Sequence, residues 1–204
     1  AEMRTIARTN RAESVVLALT FLATLVTQVE LAIFVGVIAS LVVYLNRTTH
    51  PELTPVLPDP ASPKRHFAPA PDPARRCPQL EILRVDGSLF FGAVEHVHDE
   101  IEEALAARPG VRNVLLVGSG VNFIDVAGCE LVAREAAAAR EAGIAMHAAN
   151  LKPPVRDALE RAGVLDAFGR DRVFGTKGDA IRAIYAKLDV PTCRDCRIRA
   201  FEEC

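Results

Sequence analysis

From Ser14 to Leu45 the chain carries one formal charge, Glu30. The run is longer than the roughly 20 residues that one helix needs to cross hydrocarbon. A single tilted helix would hold Gln28 and Glu30 near its middle, where an unpartnered carboxylate costs on the order of 3 kcal/mol. A turn at Thr27–Glu30 avoids that cost, with Ser14–Val26 going in and Leu31–Leu45 coming back, although each arm is then short for a full span. Basic residues set the direction. Arg4, Arg8 and Arg11 precede the run, and Arg47, Lys64, Arg65, Arg75 and Arg76 follow it. The positive-inside bias therefore puts both ends in the cytoplasm, which requires an even number of crossings. Gly36 and Ser40 have the spacing that permits close helix contact, and ordinary lipid-facing composition explains them equally well.

Residues 46–78 hold nine of the thirteen prolines. Each proline removes an amide donor and fixes φ, so this stretch is expected to be an extended tether rather than a helix or a central strand. Its Lys64-Arg65-His66 and Arg75-Arg76 groups either touch anionic lipid headgroups, at about 1 kcal/mol per basic residue, or stay solvated.

Beyond the prolines, apolar runs alternate with amphipathic stretches. Leu80–Val85, an Asp86-Gly87 turn and Ser88–Phe91 suggest a hairpin. Ala93–Ala107 has helical spacing and stops at Pro109-Gly110. Val111–Val117 is a buried strand broken by Gly118-Ser119-Gly120, and Val126–Ala142 is an alanine-rich helix. Ile144–Ala149, Pro153–Ala162, Val173-Phe174 and Asp179–Leu188 continue as strand, helix, strand and helix. This alternation predicts an α/β domain with a mostly parallel sheet of four or five strands and flanking helices. The fold class is thus a membrane α-helical hairpin followed by an α/β domain. A net charge of −2, a pI near 6.2, no tryptophan and two tyrosines argue against nucleic acid as a partner. The sequence opens on Ala1 and is expected to be part of something longer.

Thr20-Phe21-Leu22 through Val29–Leu41 resembles the last two membrane helices of the SulP-type sulfate permeases. Ile82–Ala93 is similar to the opening of their STAS domain, and Ile124-Asp125-Val126-Ala127-Gly128 to its loop-to-helix motif. The resemblance implies last transmembrane helices at 1–46, a proline-rich linker at 47–78, a STAS domain at 79–190 and a cysteine-containing tail at 191–204. It further implies secondary transport of sulfate, a related oxyanion or bicarbonate across the plasma membrane. The substrate-binding residues would lie upstream. The STAS domain would be cytoplasmic, with a homodimer and a cytosolic protein regulator as implied partners beside the bilayer. The competing expectation is a membrane-anchored STAS module that transports nothing.

Asp125 is placed to cap the helix that follows it. In soluble STAS proteins that antagonise anti-sigma factors, a Ser or Thr follows this aspartate and receives phosphate. Val126 stands there and has no acceptor oxygen. Gly118-Ser119-Gly120 is a weak match to a phosphate-binding loop, and Ser119 reads as a loop residue. His96 and His98, beside Glu95 and Asp99, point apart on a helix and read as a solvated face. Cys193-x2-Cys196 with Cys204 is the strongest ligand pattern, suited to zinc but one ligand short of a structural site, and reduced thiols in a tail are the plain alternative. Cys77 and Cys129 show no partner spacing. No other cofactor is expected. With no nucleophile elbow, carboxylate pair or cofactor fingerprint, neither is an enzyme.

Overall fold

The computed structural model describes residues 11–59 and 66–204. Arg4, Arg8, Lys64 and Arg65 lie outside the described residues. The chain divides into two compact units, Ala1–Thr49 and His50–Cys204.

In the first unit, α1 (Arg11–Val26) and α2 (Val29–Thr48) form a helical hairpin. The chain turns at Thr27 and Gln28, and Glu30 falls in the first turn of α2, where a negative charge complements the helix end. At 20 residues and a mean hydropathy of 2.1, α2 is long and apolar enough to cross a membrane. Ile33, Phe34, Val37, Ile38 and Val42 are each more than half exposed. An apolar surface this continuous needs a non-aqueous neighbour. The close helix contact is made by Gly36, because a Cβ there would stand 2.9 Å from Thr20 Oγ1. Ala32, four residues earlier, is buried, whereas Ser40 is exposed. The small-residue spacing on the seam is therefore Ala32/Gly36, one helical step before the Gly36/Ser40 pair expected.

The second unit is a six-stranded sheet in the order β2-β1-β3-β4-β5-β6. Its strands are β1 (Glu52–Pro58), β2 (Phe67–Pro69), β3 (Leu80–Leu89), β4 (Asn113–Ile124), β5 (Ala145–Ala149) and β6 (Val173–Phe174). The four strands from β3 to β6 run parallel, and β1 is antiparallel to both β2 and β3. Helices α3 (Val94–Ala106), α4 (Val126–Glu141), α5 (Pro153–Arg161), α6 (Val164–Phe168), α7 (Lys177–Tyr185) and α8 (Val190–Asp195) complete it. One core joins β3 and β4 to α3, α4 and α5 through Val85, Val97, Ile101, Val121, Leu131 and Leu159. A second joins Leu80, Ile82, Leu115 and Val117 to Ile181, Ile184 and Leu188 near α7 and to Phe201. Both faces of the central strands are covered, which is why Val114–Val117 of β4 reads as a continuous apolar run.

Three expectations are corrected. The proline-rich stretch contributes two strands, and β1 lies inside the sheet. Pro55 is tolerated because its carbonyl, and so its missing amide, faces the β2 side where that short ladder ends, with Ala70 N–H donating to Pro55 O at 2.8 Å. Asp86-Gly87 makes no hairpin: β3 runs through it with register shifts against β4, and Gly87 absorbs one of them at φ 142°. Gly118-Ser119-Gly120 does not break β4 but lies within it. A Cβ at Gly120 would stand 2.5 Å from Val85 O, and one at Gly118 would stand 2.6 Å from a Leu151 methyl. These glycines serve close packing inside the sheet, so the run offers no loop of free amides to a phosphate. Ser119 is accordingly a strand residue.

Candidate functional site

The β4-to-α4 junction is built around Asp125, whose carboxylate uses both oxygens. Oδ1 accepts the Gly128 amide at 2.8 Å as the N-cap of α4, and Oδ2 accepts the Phe91 amide at 3.0 Å. The Asp125 amide donates to Leu89 O at 3.1 Å. One side chain thus fixes the start of α4 and the segment leaving β3. Gly128 is required beside it, since a Cβ there would lie 2.4 Å from Leu89 O. Val126, in the first turn of α4, is 73% exposed, and Phe91 and Phe123 are exposed next to it in sequence or through Asp125. An open depression of about 640 Å³ borders the junction, lined by Phe123, Val126, Cys129, Glu130, Arg161 and Val164 among others. Burial, then the neighbouring Asp125 charge, pushes the Cys129 thiol up, which keeps it a poor nucleophile. The junction therefore presents a capped helix beside a rim of mixed apolar and charged residues, with no hydroxyl at Val126 to accept a phosphate.

The histidines do not converge on a ligand. His96 packs against His50 at a ring-centroid distance of 4.7 Å, whereas His98 Nδ1 lies 2.9 Å from Glu135 Oε1 on α4. His98 is thus an interhelical contact and not simply part of a solvated face. Arg76 is also placed differently from the expectation. It is buried and pairs with Glu81, a wholly buried carboxylate on β3, which Arg108 meets from the other side at 2.7 Å. Arg76 is therefore unavailable to lipid headgroups. Nothing around Glu81 singles it out, because it looks like a polar residue in a strand whose other face is exposed.

The C-terminal segment packs onto the domain instead of trailing from it. Phe201 is buried with Leu80 and Ile184. Gln79 accepts the Asp189 amide at 2.8 Å through Oε1 and donates through Nε2 to Asp189 O at 3.1 Å and to Cys193 Sγ at 3.3 Å. Cys193, Cys196 and Cys204 line one small cavity of about 10 Å³ together with Cys77, which spacing alone left without a partner. Burial pushes the Cys77 and Cys193 thiols up. All four are free thiols, and among the described residues no group of three or more His, Cys, Asp or Glu side chains is placed to hold a metal ion.

Comparison with known proteins places this architecture. The chain is 27% identical over 172 residues to sulfate transporter 1.1 of Arabidopsis thaliana, covering 79% of this chain and 26% of that protein. It is 27% identical over 187 residues to a probable sulfate transporter of Mycobacterium tuberculosis, covering 89% and 33% respectively. The chain thus spans about a quarter to a third of the length of these relatives and corresponds to their C-terminal part. Among solved structures, murine solute carrier 26 family member A9, an anion transporter in the inward-facing state, matches with a TM-score of 0.76 at 19% identity, over 90% of this chain and 30% of that one. That likeness is one of fold. The STAS domain profile matches residues 74–180, more than half of the sequence, so the chain belongs to the STAS-domain family and its homologues are SulP-type sulfate transporters.

Proposed function

We propose that this chain is the C-terminal part of a secondary transporter for sulfate, a related oxyanion or bicarbonate. In this reading α1 and α2 close the membrane domain, and the STAS domain is a cytoplasmic module for regulation and dimer contacts. The supporting observation is an apolar helical hairpin joined to a STAS fold in one chain, in the order found in sulfate transporters. Anions in such carriers are held near the bilayer midplane by broken-helix amino ends. Neither α1 nor α2 is broken, so the hairpin supports the carrier without forming the anion site.

At the Asp125 junction the regulator would be read through shape and apolar contact, since Val126 has no acceptor for phosphate. The test is radiolabelled sulfate uptake by the full-length transporter, with and without residues 77–204, in a permease-deficient host. Uptake or surface abundance falls and the order of competing anions stays the same. A changed anion preference would place substrate contacts in the STAS domain and contradict the proposal. A full-length protein that moves no anion, with or without the domain, would favour the membrane-anchored module instead.

A further inference from the structure

We propose that Cys77, Cys193, Cys196 and Cys204 together form a tetrathiolate zinc site that locks the C-terminal segment onto the STAS sheet. Three of these cysteines lie within a dozen residues, and the fourth comes from more than a hundred residues away. The fold brings all four to the wall of one cavity of about 10 Å³, close to the volume one water-sized sphere occupies. A structural zinc site takes four tetrahedral ligands at about 2.3 Å for sulfur, and Cys193-x2-Cys196 has the spacing of a ligand pair on one turn.

The surroundings supply what thiolate ligands need besides the metal. The Gln79 carboxamide donates to Cys193 Sγ at 3.3 Å. Such outer donors hold a ligating sulfur in place and spread its negative charge. Arg199, on the same cavity wall, brings a positive charge toward a centre that would carry two net negative charges. Its backbone stands at φ 47°, and its guanidinium donates to Cys204 O, folding the last residues back toward the cavity.

No three of the four sulfurs stand where they could hold a metal ion together, so binding requires them to move closer. Three of them sit on a six-residue helix and the irregular chain after it, outside any strand. Binding releases each thiol proton to solvent as its sulfur bonds the dication, and nothing is oxidised or reduced. The metal then joins the segment before β3 to the end of the chain, so its binding energy becomes stability of that contact.

The experiment uses the whole chain, purified in detergent under reducing conditions. Elemental analysis returns close to one zinc per chain, and cobalt(II) titrated into stripped protein produces the sulfur-to-cobalt charge-transfer absorption of a tetrathiolate. Cys77→Ser weakens zinc affinity at least about tenfold, and Gln79→Ala, which keeps all four ligands, weakens it about ten- to a hundredfold. Cys129→Ser leaves it unchanged. Reduced protein with neither zinc nor the cobalt absorption would overturn the proposal, as would Cys77→Ser with wild-type affinity. A disulfide joining any two of the four in protein alkylated at lysis would do the same.

Discussion

Glu81 has no exposed surface, yet it holds a carboxylate between two guanidiniums. Burial raises its pKa, and Arg76 and Arg108 offset only part of that rise. Removing one partner from such a buried group costs about 3–5 kcal/mol, because a charge is left in a medium that cannot solvate it. Arg108→Ala is therefore expected to lower the urea midpoint of the second unit sharply. An Arg75→Ala change, at an exposed position, is expected to leave it almost unmoved. His147 gives the residue scale a pH signature. It is 2% exposed, and burial, then the charges of Arg172 and Lys187, lower its pKa from 6.5 to about 4. The unfolded chain binds the proton first, so stability is complete above the ordinary histidine pKa and falls as pH drops toward 4. The loss amounts to about 3 kcal/mol. Chemical denaturation at about pH 7 and about pH 4.5 checks this, with His147→Gln expected to flatten the difference. Asp125 as a cap was legible from its neighbours in sequence, and Val126 as a position without a hydroxyl from the STAS resemblance. Glu81, His147 and Cys77 were not, because their partners come from distant segments.

Strands and helices came out of the apolar pattern where buried positions recur at the period of the element, as in α3, or fill it on both faces, as in β5. The pattern misled where a residue answers to a neighbouring strand instead of its own. Asp86-Gly87 has turn chemistry, but β4 lies alongside and the chain stays extended with a shifted register. Gly120 looked like a break and is instead the place where β3 and β4 approach closely. The same logic predicts different outcomes for two glycines. Gly128→Ala places a methyl against Leu89 O at 2.4 Å and is expected to cost about 1–3 kcal/mol in thermal or urea unfolding. Gly110→Ala, whose nearest neighbour would be 3.8 Å away, is expected to cost far less. Taken in isolation, the prolines of residues 46–78 exclude a central strand. Their compatibility depends on which way each missing amide faces, and that is set by pairing.

For the whole molecule, the reading with the widest consequences is that the apolar hairpin enters and leaves the bilayer on one side. A cysteine placed at Gln28, in the bend between α1 and α2, is expected to react with an impermeant maleimide added to intact cells. One placed at Arg47 is expected to react only after the cells are opened. Labelling of Arg47→Cys from outside would contradict the topology. Sequence alone determined the hairpin and the α/β class, because each rests on periodicity and charge that a short window already contains, while the STAS resemblance rests on the residues of Ile82–Ala93 and Ile124–Gly128. Only tertiary structure decided that the proline segment becomes two strands, that Arg76 turns inward to Glu81, and that Cys77 meets the C-terminal cysteines. Those outcomes depend on which distant backbone groups and charges come into contact, and the cost of leaving a buried charge or amide unpaired is fixed only once the chain has closed around it.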